Sequence, residues 1–489
     1  MAPLSPSANA KEAVVVNSID ELREAIKETS PGSVIELADG VYDLQRDLEL
    51  KRQIGTSAAP ITIRAQHLLK AEFSGNHIVK LRDSEYLVLE GFRFTLKADV
   101  HGKGGALSVR NCHHCRITRN DFELAEQDTG DKNQTWLTLD GLKSGHNLID
   151  RNRFSNKKKP GHFIFVTGED EYVSQQDIIE RNHFANRAYG NDSNGFETIR
   201  VGESRIGNAG GKSSTTIRDN LFEKCQGEDE MISFKVGGGS FTGNTILNCH
   251  GSVVFRNGND GVFANNMILN TYAKRPFEAY RSGGIRFYGS GHRVFNNYFE
   301  GLDGTSMKAP LALMHGAPAG SGSLGVADGL PAVDCQVVHN TWVRCAQLRI
   351  GMSSKKRPLK PQDCIFSNNL VSETNDDRLL ELYEAEGVQF RGNILHATNG
   401  KETGVEGMTD KQAFQIADPK LNRTGKVMRL APGSPAIDNA WSAFLYVHED
   451  MNGQPRDDKP DVGADEYSPG SSVERNPLTP DEVGPHTVE

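Results

Sequence analysis

Residues 228–256 read E-D-E-M-I-S-F-K-V-G-G-G-S-F-T-G-N-T-I-L-N-C-H-G-S-V-V-F-R. Short runs of β-branched and aromatic residues alternate with glycine-rich turns, the signature of strands. Inside the stretch sits Asn-Thr-Ile from Asn244, and its pattern (Asn, any residue, an apolar residue) recurs along the chain. Upstream it starts at Asn120, Asn152, Asn182 and Asn220; downstream at Asn266, Asn297, Asn340, Asn369 and Asn393. The gaps run from 22 to 43 residues. A fixed motif with variable spacing describes a solenoid whose turns carry loops of different length. The unit lacks helical periodicity, so the turns are built from strands. This predicts an all-β parallel β-helix, with inward asparagines hydrogen-bonded up and down the stack. A β-propeller would show more even blades and tryptophan-rich signatures.

Outward from the repeats, the pattern changes at the N-terminal side. Val14–Val16 form a strand-like run, then Ser18-Ile19-Asp20-Glu21 makes a capping box with Ser18 at the N-cap. Ile19, Leu22, Ala25 and Ile26 share one face of a short helix that stops near Pro31-Gly32. Such a helix can shield the open end of a β-structure. The expected organisation is a disordered start over 1–12 and one β-helix over 13–467, with an N-terminal cap at 13–32. Residues 302–332 read as a flexible insertion, about 430–467 as a C-terminal cap, and 468–489, rich in Pro, Ser and Glu, as a disordered tail.

The chain has 489 residues and a net charge of −9. That balance argues against a general nucleic-acid binder, which needs a basic surface. No apolar run is long enough for a membrane span. The first ten residues lack an apolar signal region; a secreted or periplasmic location is expected only with a leader outside this sequence. Oligomeric state is open. The seven cysteines cannot all pair. Cys112 and Cys115 have a zinc-like spacing without a second pair, so small side chains filling strands is the expected role.

Four cations follow apolar residues in a repeated way: Ile199-Arg200, Phe234-Lys235, Phe255-Arg256 and Ile285-Arg286. Measured to the next motif asparagine, Lys235, Arg256 and Arg286 lie 9, 10 and 11 residues upstream. Strand alternation turns the apolar partners inward and the cations outward. Adjacent strands are about 4.8 Å apart, so such a ladder is unfavourable without an anion against it. The expected partner is an acidic polymer held along the column. Glu228 and Glu230 can neutralise the ladder; alternatively, with Asn194, they can hold a hard cation such as Ca²⁺.

For a uronic-acid polymer this equipment suits β-elimination. The proton at C5 becomes removable when the neighbouring carboxylate's charge is cancelled, for instance by a metal ion. Lys235 can be the base if neighbouring cations lower its pKa. Arg256, a water or Tyr288 could protonate the leaving oxygen.

Residues 194–300 resemble polysaccharide lyase family 6, the alginate lyases and chondroitinase B. The matching segments are N-G-F-E-T-I-R-V-G, N-L-F-E-K-C-Q-G-E-D-E-M-I-S-F-K, G-S-V-V-F-R-N-G and G-G-I-R-F-Y-G-S-G-H-R-V-F-N-N-Y-F-E. The resemblance implies a right-handed parallel β-helix and Ca²⁺-assisted β-elimination, with Lys235 as base and Arg256 as the catalytic arginine. It places metal ligands at Asn194, Glu228 and Glu230 and substrate-gripping arginines at Arg200 and Arg286. Asn257 stands where the family has a substrate-contacting histidine, with His292 and His315 as candidates to replace that contact. The segment Tyr272–Ser282 is longer than usual in the family. Within that family the expected function is an alginate lyase acting on an alginate-like acidic polysaccharide; a dermatan or chondroitin lyase, a β-helical hydrolase and a non-catalytic polysaccharide binder are the competing readings. The hydrolase needs carboxylates facing each other across a sugar, which Glu228 and Glu230 are too close in sequence to provide.

Overall fold

The computed structural model describes residues 11–97, 105–126, 134–191, 193–318, 329–352, 356–470 and 474–487. The start of the chain and part of the 302–332 insertion therefore lie outside the described residues. Contacts divide the chain into two compact units: Met1–Glu203 with Lys212–Glu228 and Thr479–Glu489, and Ser204–Gly211 with Asp229–Leu478.

Each unit is a right-handed parallel β-helix of three sheets, the coil the repeats predict and the hand the resemblance implies. In the first unit the first sheet runs from Val14–Val16 to Thr216–Arg218, the second from Leu48–Lys51 to Ile199–Val201, and the third from Gly40–Leu44 to Leu221–Cys225. In the second unit the corresponding sheets run from Ser240–Thr242 to Val388–Arg391, from Glu230–Phe234 to Leu380–Leu382, and from Thr245–Leu247 to Phe414–Ile416.

The motif asparagines mark the turn from first to third sheet, and all are fully buried. Within the first unit, Asn120, Asn152 and Asn182 each donate from Nδ2 to Oδ1 of the next motif asparagine at 3.0 Å. In the second unit the chain of amides continues from Asn244 to Asn393 at 2.8–3.3 Å. The apolar residue two places on turns inward: Phe122, Phe154, Phe184 and Phe222 stack at 4.6–5.2 Å between centroids. The residue before each asparagine has positive φ, from Arg119 at 56° to Asn368 at 55°, with glycine at 243 and 392. A left-handed residue is what turns the chain so sharply, and non-glycine side chains tolerate it at some cost.

The helix Ile19–Lys27 begins as expected. Ser18 Oγ accepts from the Glu21 N–H at 3.1 Å, and Glu21 Oε2 accepts from the Asn17 N–H at 2.7 Å. It packs on the strands Val14–Val16 and Val34–Leu37. All seven cysteines are buried and free, in keeping with a packing role.

Three segments differ from expectation. Leu311–Met314, inside the supposed insertion, is a strand of the second sheet. The stretch 421–467 lies along the third sheet: Val427, Met451 and Ala464 pack on Met267, Leu269, Tyr298 and Val343. In the tail, Arg475 Nη1 donates to Asn265 O at 2.6 Å and the Leu478 N–H to Thr245 Oγ1 at 2.8 Å. Gly484 N–H donates to Arg181 O at 2.8 Å. Backbone bonds and one arginine order a segment that composition alone marks as loose.

Candidate active site

In the second unit, the strands Glu230–Phe234, Gly251–Phe255 and Ser282–Phe287 lie side by side, with Phe234 opposite Phe255 and Phe255 opposite Phe287. The Arg256 N–H donates to Phe234 O at 2.8 Å and the Tyr288 N–H to Phe255 O at 2.9 Å. Lys235, Arg256 and Tyr288 thus occupy the same place on successive rungs, and Phe234, Phe255 and Phe287 are buried beneath them. Lys235 and Arg256 are half-buried. The Arg256 guanidinium carbon sits 5.1 Å from the centre of the Tyr288 ring, a cation–π distance.

Arg286 does not continue that column. It pairs with Val254, two residues before Arg256. The Ile-Arg dipeptide imitates Phe-Arg, but the pairing shifts between Gly251 and Val253, and the residue in register is Tyr288. An offset of two keeps Arg286 on the outward face. There it is only 3% exposed, with Nη2 on Glu230 Oε1 at 2.7 Å and Nη1 on Met307 O at 3.4 Å. It therefore holds Glu230 rather than lying open to a polymer.

Glu230 is the electrostatic centre of this unit. Its Oε1 also faces Arg256 Nε at 3.4 Å, and its Oε2 accepts from Ser233 Oγ at 2.6 Å. Burial would raise its pKa, but Arg286, Lys235 and Arg256, with the Ser233 hydroxyl, outweigh burial and hold it below the usual carboxylate range. A lowered carboxylate pKa contributes stability above the unfolded value, about 4.3, and loses it as pH falls through the folded value. Replacing Glu230 by Gln is therefore expected to lower unfolding stability clearly at pH 7. The gap to the native chain should narrow towards pH 3; an equal gap in urea unfolding at both values would refute this.

The polar insertion after Arg200 becomes the helix Ser204–Asn208, which abuts the Lys235 backbone. A Cβ on Gly207 would come within 2.2 Å of Lys235 O. Asn208 Oδ1 accepts from Asn257 Nδ2 at 2.7 Å. Asn257 is 4% exposed, so it anchors this helix instead of reaching substrate. His292 is likewise buried: Nδ1 accepts from the Gly261 N–H at 2.9 Å, and Nε2 meets Tyr288 O at 2.7 Å. Burial pushes its pKa down to about 4. It is a neutral brace for the Tyr288 backbone. His315 is fully buried, 3.9 Å from Glu384 Oε2, with burial lowering its pKa. Neither histidine is placed to contact a polymer. A buried histidine and a surface one look alike in sequence when both stand next to glycine.

In the first unit, Arg200 pairs with Phe165 across the second sheet. Its guanidinium carbon lies 4.8 Å from the Phe165 ring centre, and Nε donates to Gly202 O at 3.3 Å. Asn194 is exposed. Glu228 is 5% exposed and acts electrostatically on Arg187. Arg187 is fully buried, pushed down to about 10 by burial against the pull of Glu126, Glu228 and Glu197. Nearby, Lys157 Nζ donates to Glu126 Oε1 at 2.6 Å and Gln134 O at 2.8 Å. This buried network was hidden in Lys157-Lys158-Lys159, a run that resembles a surface patch. Among the described residues, no group of three or more His, Cys, Asp or Glu side chains gathers that could hold a metal ion between them. No helix among the described residues is long and apolar enough to cross a membrane.

The family model described as Chondroitinase B matches residues 16–428. No curated protein matches the sequence significantly. Among solved structures, the family 6 alginate lyase AlyGC superposes with a TM-score of 0.75 at 23% identity, covering 97% of this chain and 58% of that one. The chain thus spans little more than half the length of that relative. A mannuronic acid-specific family 6 lyase from human gut microbiota gives 0.68 at 23% identity, covering 83% and 91%. A family 6 alginate lyase in complex with trisaccharide gives 0.69 at 18%, covering 88% and 92%. At these identities the likenesses establish the fold, while the family model spans most of the sequence. The chain belongs to the Chondroitinase B family.

Proposed function

We propose that the protein is a polysaccharide lyase that cleaves alginate by β-elimination, with Lys235 as base and Arg256 as its cationic partner. The observation that carries this is the pairing of a half-exposed lysine and a half-exposed arginine on adjacent rungs. A binding protein gains nothing from lysine there over arginine, whereas a base must be able to give up its proton. Lys235 Nζ takes the C5 proton. The electron pair forms the C4–C5 double bond, the C4–O bond breaks, and the leaving oxygen takes a proton from water, while Lys235 later gives its proton back to solvent. Arg256 supplies positive charge next to the reacting residue, held in place by Glu230. A secreted or periplasmic setting, where such a polymer is met, goes with this reading.

Calcium bound by Asn194, Glu228 and Glu230 would supply Lewis-acid polarisation of the substrate carboxylate. Glu230 does not fit that role, because Arg286 and Arg256 meet one oxygen and Ser233 the other. Turnover is expected to stay within about twofold on adding a chelator. A tenfold loss restored by Ca²⁺ would return the ion to the mechanism.

The structural relatives described as alginate lyases support the substrate. The family model's description favours dermatan or chondroitin as a second reading. The test is ultraviolet absorbance of unsaturated uronate during digestion of alginate, dermatan sulfate and chondroitin sulfate. Absorbance on alginate is the expected result. Absorbance only on a glycosaminoglycan selects the second reading, and chain shortening without absorbance sinks the lyase.

A further inference from the structure

The outward column of the second unit's second sheet is open at Lys235 and Arg256 and closed immediately afterwards. Tyr288 is 1% exposed, Ala312 0% and Met314 1%. These are outward positions of a sheet and would face solvent unless covered. Much of the cover is the single turn Ser306–Lys308, which lies against three successive strands, Ser282–Phe287, Leu311–Met314 and Leu348–Met352, while Gly329 lies against the Tyr288 ring. Met307 and Met352 pack on Tyr288, Ala309, Ala312 and Met314.

The cover is fastened on several sides. Lys308 Nζ pairs with Asp229. Asp303 Oδ1 accepts from the Ser282 N–H at 2.9 Å, its Oδ2 pairs with Arg275 Nε at 2.5 Å, and the Gly304 N–H donates to Ser282 O at 2.9 Å. Met307 O accepts from Arg286 Nη1. Arg286 in turn holds Glu230, so the cover is tied to the charge cluster beside Lys235. Rungs advance by about 4.8 Å, so two covered rungs close off roughly 10 Å of the column. At the closed end a second half-buried guanidinium, Arg357, has its carbon 5.2 Å from the Tyr288 ring centre.

We propose that the Ser306–Lys308 turn is an end-stop that makes cleavage exolytic, with Arg357 meeting the carboxylate of the terminal uronate. This rests on the lyase reading above. A polymer lying along the column cannot continue past Tyr288, so only a chain end reaches Lys235 with its next residues seated. Each turnover then removes a short piece of fixed length.

The experiment is size-resolved analysis of products from sodium alginate at the first few per cent of conversion. Unsaturated products of one to three residues should dominate from the outset, with viscosity falling slowly relative to absorbance. A double variant, Met307→Gly with Lys308→Ala, should lengthen the early products severalfold. Arg357→Ala, outside the turn, should raise KM for a tetra-uronate at least fivefold, which keeps the proposal testable if the double variant does not fold. Absorbance with a broad ladder of long early products overturns the end-stop and leaves the lyase standing. Short products that neither variant changes also overturn it. No absorbance on any uronan removes the lyase reading and this inference with it.

Discussion

Lys235→Ala is expected to lower kcat by at least about a thousandfold, the middle of the range for loss of a general base. That corresponds to roughly 4 kcal/mol of transition-state stabilisation. The fold should survive. Lys235 is half-buried at a strand end, and the inward anchor of its rung is Phe234, which is fully buried. Lys235→Arg is the sharper probe. It keeps the positive charge that Glu230 feels, but a guanidinium does not give up its proton near neutral pH. If Lys235 only grips an anion, arginine should retain most of the activity; if it takes the C5 proton, arginine should fail like alanine. Circular dichroism and the unfolding midpoint, measured alongside kcat and KM, separate lost chemistry from lost structure. Substantial turnover by Lys235→Arg would remove lysine as the base.

The column beside Lys235 shows where sequence reasoning succeeds and where it stops. Phe234 and Phe255 could be placed opposite each other because a 21-residue repeat connects the two cations that follow them. The asparagine motif was legible for a related reason: a buried amide has one satisfactory arrangement, so the chain repeats it. Arg286 was misplaced because a shift in pairing moves register without changing composition. Nothing in Ile285-Arg286 distinguishes it from Phe255-Arg256, and the counts to the next asparagine differed by one residue. Tyr288, 9 residues before Asn297, matched Lys235 better. The end-stop was illegible for another reason. Thr305-Ser306-Met307-Lys308 is short and polar at its edges, like any loop, and its role depends on packing across three strands, two of them well removed in sequence. His292 became a brace, not a ligand, only once Gly261 and Tyr288 O were brought to its two nitrogens.

Asn297→Leu should be the most destabilising single change in the second unit's solenoid. Asn297 Oδ1 accepts from both the N–H and the Nδ2 of Asn266, at 3.0 and 2.9 Å. Its Nδ2 donates to Phe263 O, Phe295 O and Asn340 Oδ1, at 2.8–2.9 Å. Leucine is close in size but makes none of these bonds. Two buried donors of Asn266 then lose their acceptor, and each orphaned buried group costs about 1–3 kcal/mol. A loss of about 4 kcal/mol follows, against about 0.5 kcal/mol or less for the exposed control Asn422→Ala. In a stacked solenoid each turn leans on its neighbours, so the loss should spread to adjacent rungs before the whole unit unfolds. Hydrogen exchange should therefore show the amides of Met267 and Tyr298 opening first, which both pair across this corner. Because the asparagines stand between the first and third sheets while Lys235 follows the second, turnover per folded molecule should change little. A variant as stable as the native chain would mean that the amide ladder accompanies the fold without holding it.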